Sequence, residues 1–171
     1  MGLVYTIGYE GTDIDRFVAT LKAAGVERVA DVRAVPISRK KGFSKKSLCS
    51  RLESEGIEYV HFVELGDPKP GRDAARAGQY ALFHDIYSRH LDSAEAQASL
   101  QALMAAAEEK STCLLCFERE PATCHRSIVA GEMTGAAGFD VFDLYGDDPS
   151  RYVRNAHRMP SNNSHKGAAA A

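Results

Sequence analysis

Within the run Cys113-Leu-Leu-Cys-Phe-Glu-Arg-Glu-Pro-Ala-Thr-Cys-His-Arg126 the chain gathers three of its four cysteines, a histidine, two glutamates and two arginines. Thiol, imidazole, carboxylate and guanidinium are the groups used for nucleophilic attack, proton transfer and anion binding. The apolar stretch Thr112 to Phe117 reads as a strand, and a helical pattern follows a polar turn, with Thr123 as a plausible N-cap. With that cap, Cys124, His125 and Arg126 occupy the first helical turn, where free amides and the positive dipole end favour anions and lower a cysteine's pKa. An arginine there is misplaced by roughly 0.3 to 1 kcal/mol unless a negative group offsets it. Glu118 is one such group and a bound phosphate or carboxylate is the other. Glu118 is the candidate general acid or base, with Cys116, Cys124 and His125 as assisting groups. The structural alternative is a Glu118–Arg126 ion pair that ties the loop down, with the cysteines as core.

A second set lies in Arg33-Ala-Val-Pro-Ile-Ser-Arg-Lys-Lys-Gly-Phe-Ser-Lys-Lys46, which has six basic residues and no acidic one. Placed after a strand, it can receive a phosphate-bearing ligand or a nucleic-acid backbone, or it can be a solvated loop. Asp31 and Arg33 share one face of the strand end and can orient each other. Tyr9, Glu10, Arg33, Lys41, Ser44 and Arg126 form the candidate binding set. His61 reads as a satisfied core histidine, and Tyr80 and Tyr87 as packing on a helix face. No metal set is assigned, because Cys113 and Cys116 are three apart on a strand and point to opposite faces. A phosphatase-type loop from Cys113 to Arg119 lacks the glycine such a cradle needs, and Gly8 to Gly11 is too short for a dinucleotide fingerprint.

The elements that must position these groups alternate. Residues 3 to 9, 26 to 32, 57 to 63, 112 to 117 and 139 to 144 read as strands. Helical periodicity lies after Thr12 or Asp13, after Ser44, around Tyr80 to Tyr87, from about Ser93 to Met104, and after Thr123. This order predicts an α/β fold, a three-layer sandwich with a mostly parallel five-stranded sheet, and ligands then bind beyond the carboxyl ends of the strands. Strand order is not legible.

The chain has 171 residues, 44% of them hydrophobic and 26% charged, as expected of one domain over residues 1 to 158, with 159 to 171 as a disordered tail. A net charge of −2 supplies no global argument for nucleic-acid binding. No run approaches the roughly 18 apolar residues of a membrane span, and the start lacks a basic signal-peptide region. Both observations point to the cytoplasm, and four cysteines, too few for a disulfide scaffold, are expected to be reduced thiols, either core fillers or reactive groups. Oligomeric state and cofactor are not specified.

Several ordered motifs carry a resemblance: Thr6-Ile-Gly-Tyr-Glu-Gly11, Asp31-Val-Arg33 with Pro36 and Ser38, Phe43-Ser44, Gly56-Ile-x-Tyr-x-His61 with Leu65-Gly66, and Cys116-Phe-Glu118 followed by Cys124-His-Arg126. Over about residues 4 to 145 the chain resembles the bacterial domain-of-unknown-function family 488. The resemblance implies an α/β domain with an unassigned enzymatic role. The sequence departs from the usual pattern at Asp67-Pro-Lys-Pro-Gly-Arg72, where a Gly-Gly-Arg type run is common. The expectation is an enzyme of unassigned reaction acting on a phosphate-bearing ligand, a nucleotide or nucleic acid. The alternative is a non-catalytic module that binds nucleic acid or a protein partner.

Overall fold

Short strand segments alternate with helical runs that bury one face, so the chain builds successive β-α units. The computed structural model describes residues 2–160; residues 161–171, most of the expected tail, lie outside the described residues. Strands β1 (Leu3–Gly8), β2 (Arg28–Asp31), β3 (Glu58–His61), β4 (Thr112–Cys116) and β5 (Asp140–Tyr145) form one all-parallel sheet in the order β3-β2-β4-β1-β5. The helices are α1 (Ile14–Ala23), α2 (Lys45–Ser54), α3 (Lys69–Arg76), α4 (Tyr80–Leu91), α5 (Ala94–Glu109), α6 (His125–Ala137) and α7 (Ser150–Arg154). Asp13 caps α1 by accepting from the Arg16 amide, and Ser93 caps α5 in the same way through the Ala96 amide.

Side chains on β1 and β4 alternate between two cores, as strand geometry demands. Leu3, Tyr5, Ile7, Cys113 and Leu115 face α1, α2 and Tyr152 of α7, whereas Val4 and Leu114 face α3 to α6 with Phe83, Leu103 and Val129. Met159, placed by sequence in the tail, packs against the first of these clusters.

Handedness then determines where a crevice opens. The β1-to-β2 and β2-to-β3 connections run toward one edge and cross one face; the β3-to-β4 and β4-to-β5 connections run back and cross the other, as right-handed crossovers require. At its carboxyl end β4 therefore leaves toward the opposite face from its neighbours β1 and β2. Diverging neighbours leave room for a ligand at that point.

Helix α3 was not anticipated. Proline and glycine disfavour a helix interior, yet here Pro68 is the N-cap and Pro70 lies in the first turn, where a missing N–H breaks no helical bond. The short α7 also escaped the periodicity reading. The remaining helices and all strands fall where the pattern placed them; strand ends differ by at most two residues, while α4 and α5 run on to Leu91 and Glu109, four and five residues past the expected ends.

Gly8 ends β1 in register with Cys116, and a Cβ there would overlap the carbonyl oxygen of Glu118. Gly131, inside α6, faces open space. Gly8→Ala is expected to cost about 1–3 kcal/mol by overpacking, whereas Gly131→Ala is expected to be neutral or stabilising by about 0.5–1 kcal/mol. Paired thermal melts check this, and equal melting temperatures for the two variants would contradict it.

Candidate active site

Loops after β1, β2, β3 and β4 enclose a cleft of about 680 Å³ at the carboxyl end of the sheet. Tyr9 and Glu10 follow β1, Arg33 to Arg39 follow β2, Asp67, Arg72 and Arg76 come from the β3–α3 region, and Cys116, Glu118, Cys124 and His125 come from β4 and α6. The catalytic candidates read from sequence thus meet at one wall. Lys41, Ser44 and Arg126 do not line it.

Arg126 is the main correction. It is 0% exposed, and its guanidinium donates to Thr6 Oγ1 at 3.2 Å, to the Glu118 carbonyl at 2.5 Å and to the Arg119 carbonyl at 3.1 Å. Burial lowers its pKa, opposed by the charges of Asp143, Cys113 and Glu118. The Glu118–Arg126 ion pair offered as the structural alternative does not form; the arginine grips the loop backbone instead. Thr123 is not the cap either. It ends a 3-10 turn, Pro121–Thr123, and Cys124 takes the N-cap position with its amide spent on the Pro121 carbonyl. An anion held by the amides of residues 124 to 126 thereby loses one of its three donors.

Arg33 lines the cleft but is likewise committed. It grips both oxygens of Asp31 at 2.9 and 2.8 Å, donates to the Phe43 carbonyl at 2.7 Å, and lies over the Tyr9 ring. Burial opposes its charge, but the hydrogen bonds and charge of Asp31, with Tyr9, outweigh it and hold the guanidinium above its ordinary pKa. Within the basic segment, Lys40 is drawn in by the carbonyls of Tyr9 and Thr12. Ser44 bonds the backbone of Ser38, and Lys41 points to solvent away from the cleft. Tyr9 is buried and stacked on Phe43, while Glu10 accepts from the Arg119 amide at the rim. His61 does not line the cleft: its Nε2 donates to the Arg33 carbonyl at 2.7 Å and its Nδ1 faces the Lys45 ammonium at 3.4 Å.

Besides exposed Glu10, two less exposed carboxyl groups, Asp67 and Glu118, line the cleft without an ion-pair partner among the described residues. Burial raises the pKa of Glu118, against a backbone hydrogen bond and Arg126 and with help from Glu10. Burial also pushes Asp67 up to about 7, with Arg72 opposing and Glu118 adding to the shift. Asp67 Oδ1 is buried without a hydrogen-bond partner among the described residues, and it sits over Gly71, where any Cβ would overlap it. Sequence reading missed Asp67, Arg72 and Arg76 because it treated their helix as a loop. The signal was the Asp67-Pro-Lys-Pro run, with proline at helix-start positions.

Cys116 and Cys124 are paired as a disulfide, bringing the last residue of β4 onto the cap of α6. Glu118 Oε2 lies 2.9 Å from Cys116 Sγ. His125 Nε2 is 2.6 Å from the Val32 carbonyl, which can only accept, so the ring proton sits on Nε2. Its Nδ1 lies 3.8 Å from each sulfur, and the Tyr87 ring packs on it at 5.1 Å. Burial lowers the imidazole pKa to about 4. Tyr87 is core, as read from sequence, while Tyr80 is half-exposed at the cleft mouth rather than packed.

Two outcomes follow. Arg126→Met is expected to cost about 2–4 kcal/mol in urea unfolding, because two loop carbonyls lose their donor, and Arg126→Lys is expected to recover only part of this. For Asp67, a folded pKa raised above the unfolded value means that the folded state holds a proton the unfolded state releases. Its contribution to stability therefore falls as pH rises from about 4 to about 7. Asp67→Asn is expected to melt like the wild type near pH 4 and to be more stable by on the order of 2 kcal/mol near pH 8. A pH-independent difference would contradict this assignment.

A family model described as "Domain of unknown function DUF488" matches residues 13–133, from the start of α1 into α6, and so takes in three of the four loops around the cleft. No curated protein and no solved structure matches the chain. The match covers well over half of the 171 residues, and the chain belongs to the DUF488 family.

Proposed function

We propose that the protein is an enzyme that acts by proton transfer on a phosphate-bearing ligand, a nucleotide or a nucleic-acid terminus, bound in the cleft beyond β1, β2 and β4. The observation that carries this reading is the occurrence of two carboxyl groups, buried Asp67 and half-buried Glu118, in a cleft that Arg39, Arg72 and Arg76 also line. Asp67, partly protonated near neutral pH, serves as the proton donor, and Glu118 serves as the acceptor. The anion-binding role expected of Arg33 and Arg126 passes to Arg72, Arg76 and Arg39, whose guanidiniums are at least partly exposed. Half-exposed Val35, Phe117 and Tyr80, with the more exposed Ile37, provide apolar surface on which a planar ring can lie.

The alternative is a binding module without catalysis. Arg39, Lys41, Lys45 and Lys46 are exposed on the segment after β2, a basic strip that fits a phosphate backbone. Calorimetric titration with nucleoside monophosphates and short single-stranded oligonucleotides, with phosphorus NMR to follow turnover, separates the readings. Replacing Arg72 and Arg76 together with Ala is expected to weaken binding about tenfold or more, and Glu118→Gln to retain binding while abolishing turnover. Steeply salt-dependent oligonucleotide binding, with no turnover by the wild type, would favour the binding module. Affinities unchanged by the double arginine substitution would reject the proposed anion site.

A further inference from the structure

Cys116, Cys124 and His125 are all buried, and their ligand atoms lie within 4.8 Å of one another. The geometry points to a zinc(II) site formed by these three residues when Cys116 and Cys124 are reduced. Zinc is bound by cysteine sulfur at about 2.3 Å and by histidine nitrogen at about 2.0 to 2.1 Å, which in a tetrahedral site separates S from N by roughly 3.6 Å. The two sulfur–nitrogen distances here are 3.8 Å each. Only the sulfur–sulfur edge must open. Reduction does this, since two unbonded sulfurs repel to about van der Waals contact, close to the edge that a shared zinc requires.

The histidine is set up for the same role. Its Nε2 proton is committed to the Val32 carbonyl and the Tyr87 ring packs on its side, so the Nδ1 lone pair is aimed at the sulfurs. Orientation of a ligating imidazole by a carbonyl on its other nitrogen is the usual second layer of a zinc site. The donor set also argues for the metal: two thiolates and an imidazole suit zinc and discriminate against magnesium and calcium.

Three protein ligands leave a fourth position. Cys116, Cys124 and His125 line the cleft, so that position faces the cleft and the Glu118 carboxylate, 2.9 Å from Cys116 Sγ. An open fourth site that takes water is the mark of a catalytic zinc centre rather than a closed structural one. Opening the disulfide needs a two-electron reductant, either a dithiol that is itself oxidised to a disulfide or a phosphine that is oxidised with water to its oxide, and Cys116 and Cys124 take up two electrons and two protons. Binding of one zinc then displaces those two thiol protons into solvent. Zinc binding and the Cys116–Cys124 disulfide are mutually exclusive states of one site. The inference goes beyond the acid–base reading and does not depend on it, since metal uptake is measured without a phosphate-bearing ligand.

The test uses the full chain, reduced with a phosphine and then freed of reductant. Zinc uptake is measured by elemental analysis after gel filtration, and cobalt(II) is titrated as a spectroscopic substitute. The expected result is one metal per chain, a near-ultraviolet thiolate-to-cobalt band and the intense visible bands of a tetrahedral centre. Protein oxidised to the disulfide is expected to take up none. Cys124→Ser is expected to weaken binding about a hundredfold or more, while Cys49→Ser, remote from the cleft, leaves it unchanged. Reduced wild-type protein that shows no thiolate-to-cobalt band overturns the proposal, as does a band that persists unchanged in Cys124→Ser. The wild-type spectrum decides the matter even if the serine variant does not fold.

Discussion

One buried guanidinium organises the working end of this fold. Arg126 has no exposed surface, and it reaches from the first turn of α6 to β1 and to the loop that follows β4. Thr6, which accepts from it, donates in turn to Asp143 on β5, so four elements are joined through one side chain. Burying a charge costs several kcal/mol unless hydrogen bonds answer it, and here two carbonyls and a hydroxyl do so. Gly8 belongs to the same arrangement, because the space a side chain would occupy is filled by the carbonyl that Arg126 holds. The backbone at Glu118 is thereby positioned without using its carboxylate. Had the arginine paired with the side chain instead, the carboxylate would have been neutralised and turned from the cleft.

The second buried arginine solves the same problem differently. Arg33 is paired with Asp31, which is itself fully buried and also accepts from Tyr59. Planar guanidinium against carboxylate is the strongest ion pair a protein can build, and it leaves little capacity for a ligand. The charges that remain available are therefore separated in space. Carboxyls lie in the floor, where burial favours their protonated forms, and guanidiniums lie toward the rim, where water keeps them charged.

Much of this was legible in the sequence. Strand and helix positions followed from periodicity, and once all strands are parallel the ligand end of the sheet follows. The convergence of Cys116, Glu118, Cys124 and His125 was legible for the same reason. Partner choice was not. Whether Arg126 meets a carboxylate or a carbonyl depends on a loop path of a few residues, and no spacing rule encodes it. Asp67 was invisible because its chemistry arises from burial beneath a helix that starts in a proline-rich run. Lys40, read as part of a basic strip, turns inward and donates to the carbonyls of Tyr9 and Thr12 after β1, a choice of partner that no charge pattern encodes.

The sulfur pair and the carboxyl pair share a wall, which couples their chemistry. Sheet alternation sends Cys113 into one core and Cys116 toward the other face, and the 3-10 turn at Pro121–Thr123 returns the chain so that Cys124 meets Cys116. In the disulfide, neither sulfur has a proton to offer, and Glu118 Oε2 faces Cys116 Sγ as an acceptor without a donor. In the dithiol, the Cys116 thiol can donate to that oxygen, which favours the ionised carboxylate. A free Cys116 thiol would thus favour the ionised form of Glu118 that the proposed proton acceptor needs, with the loop backbone still held by Arg126.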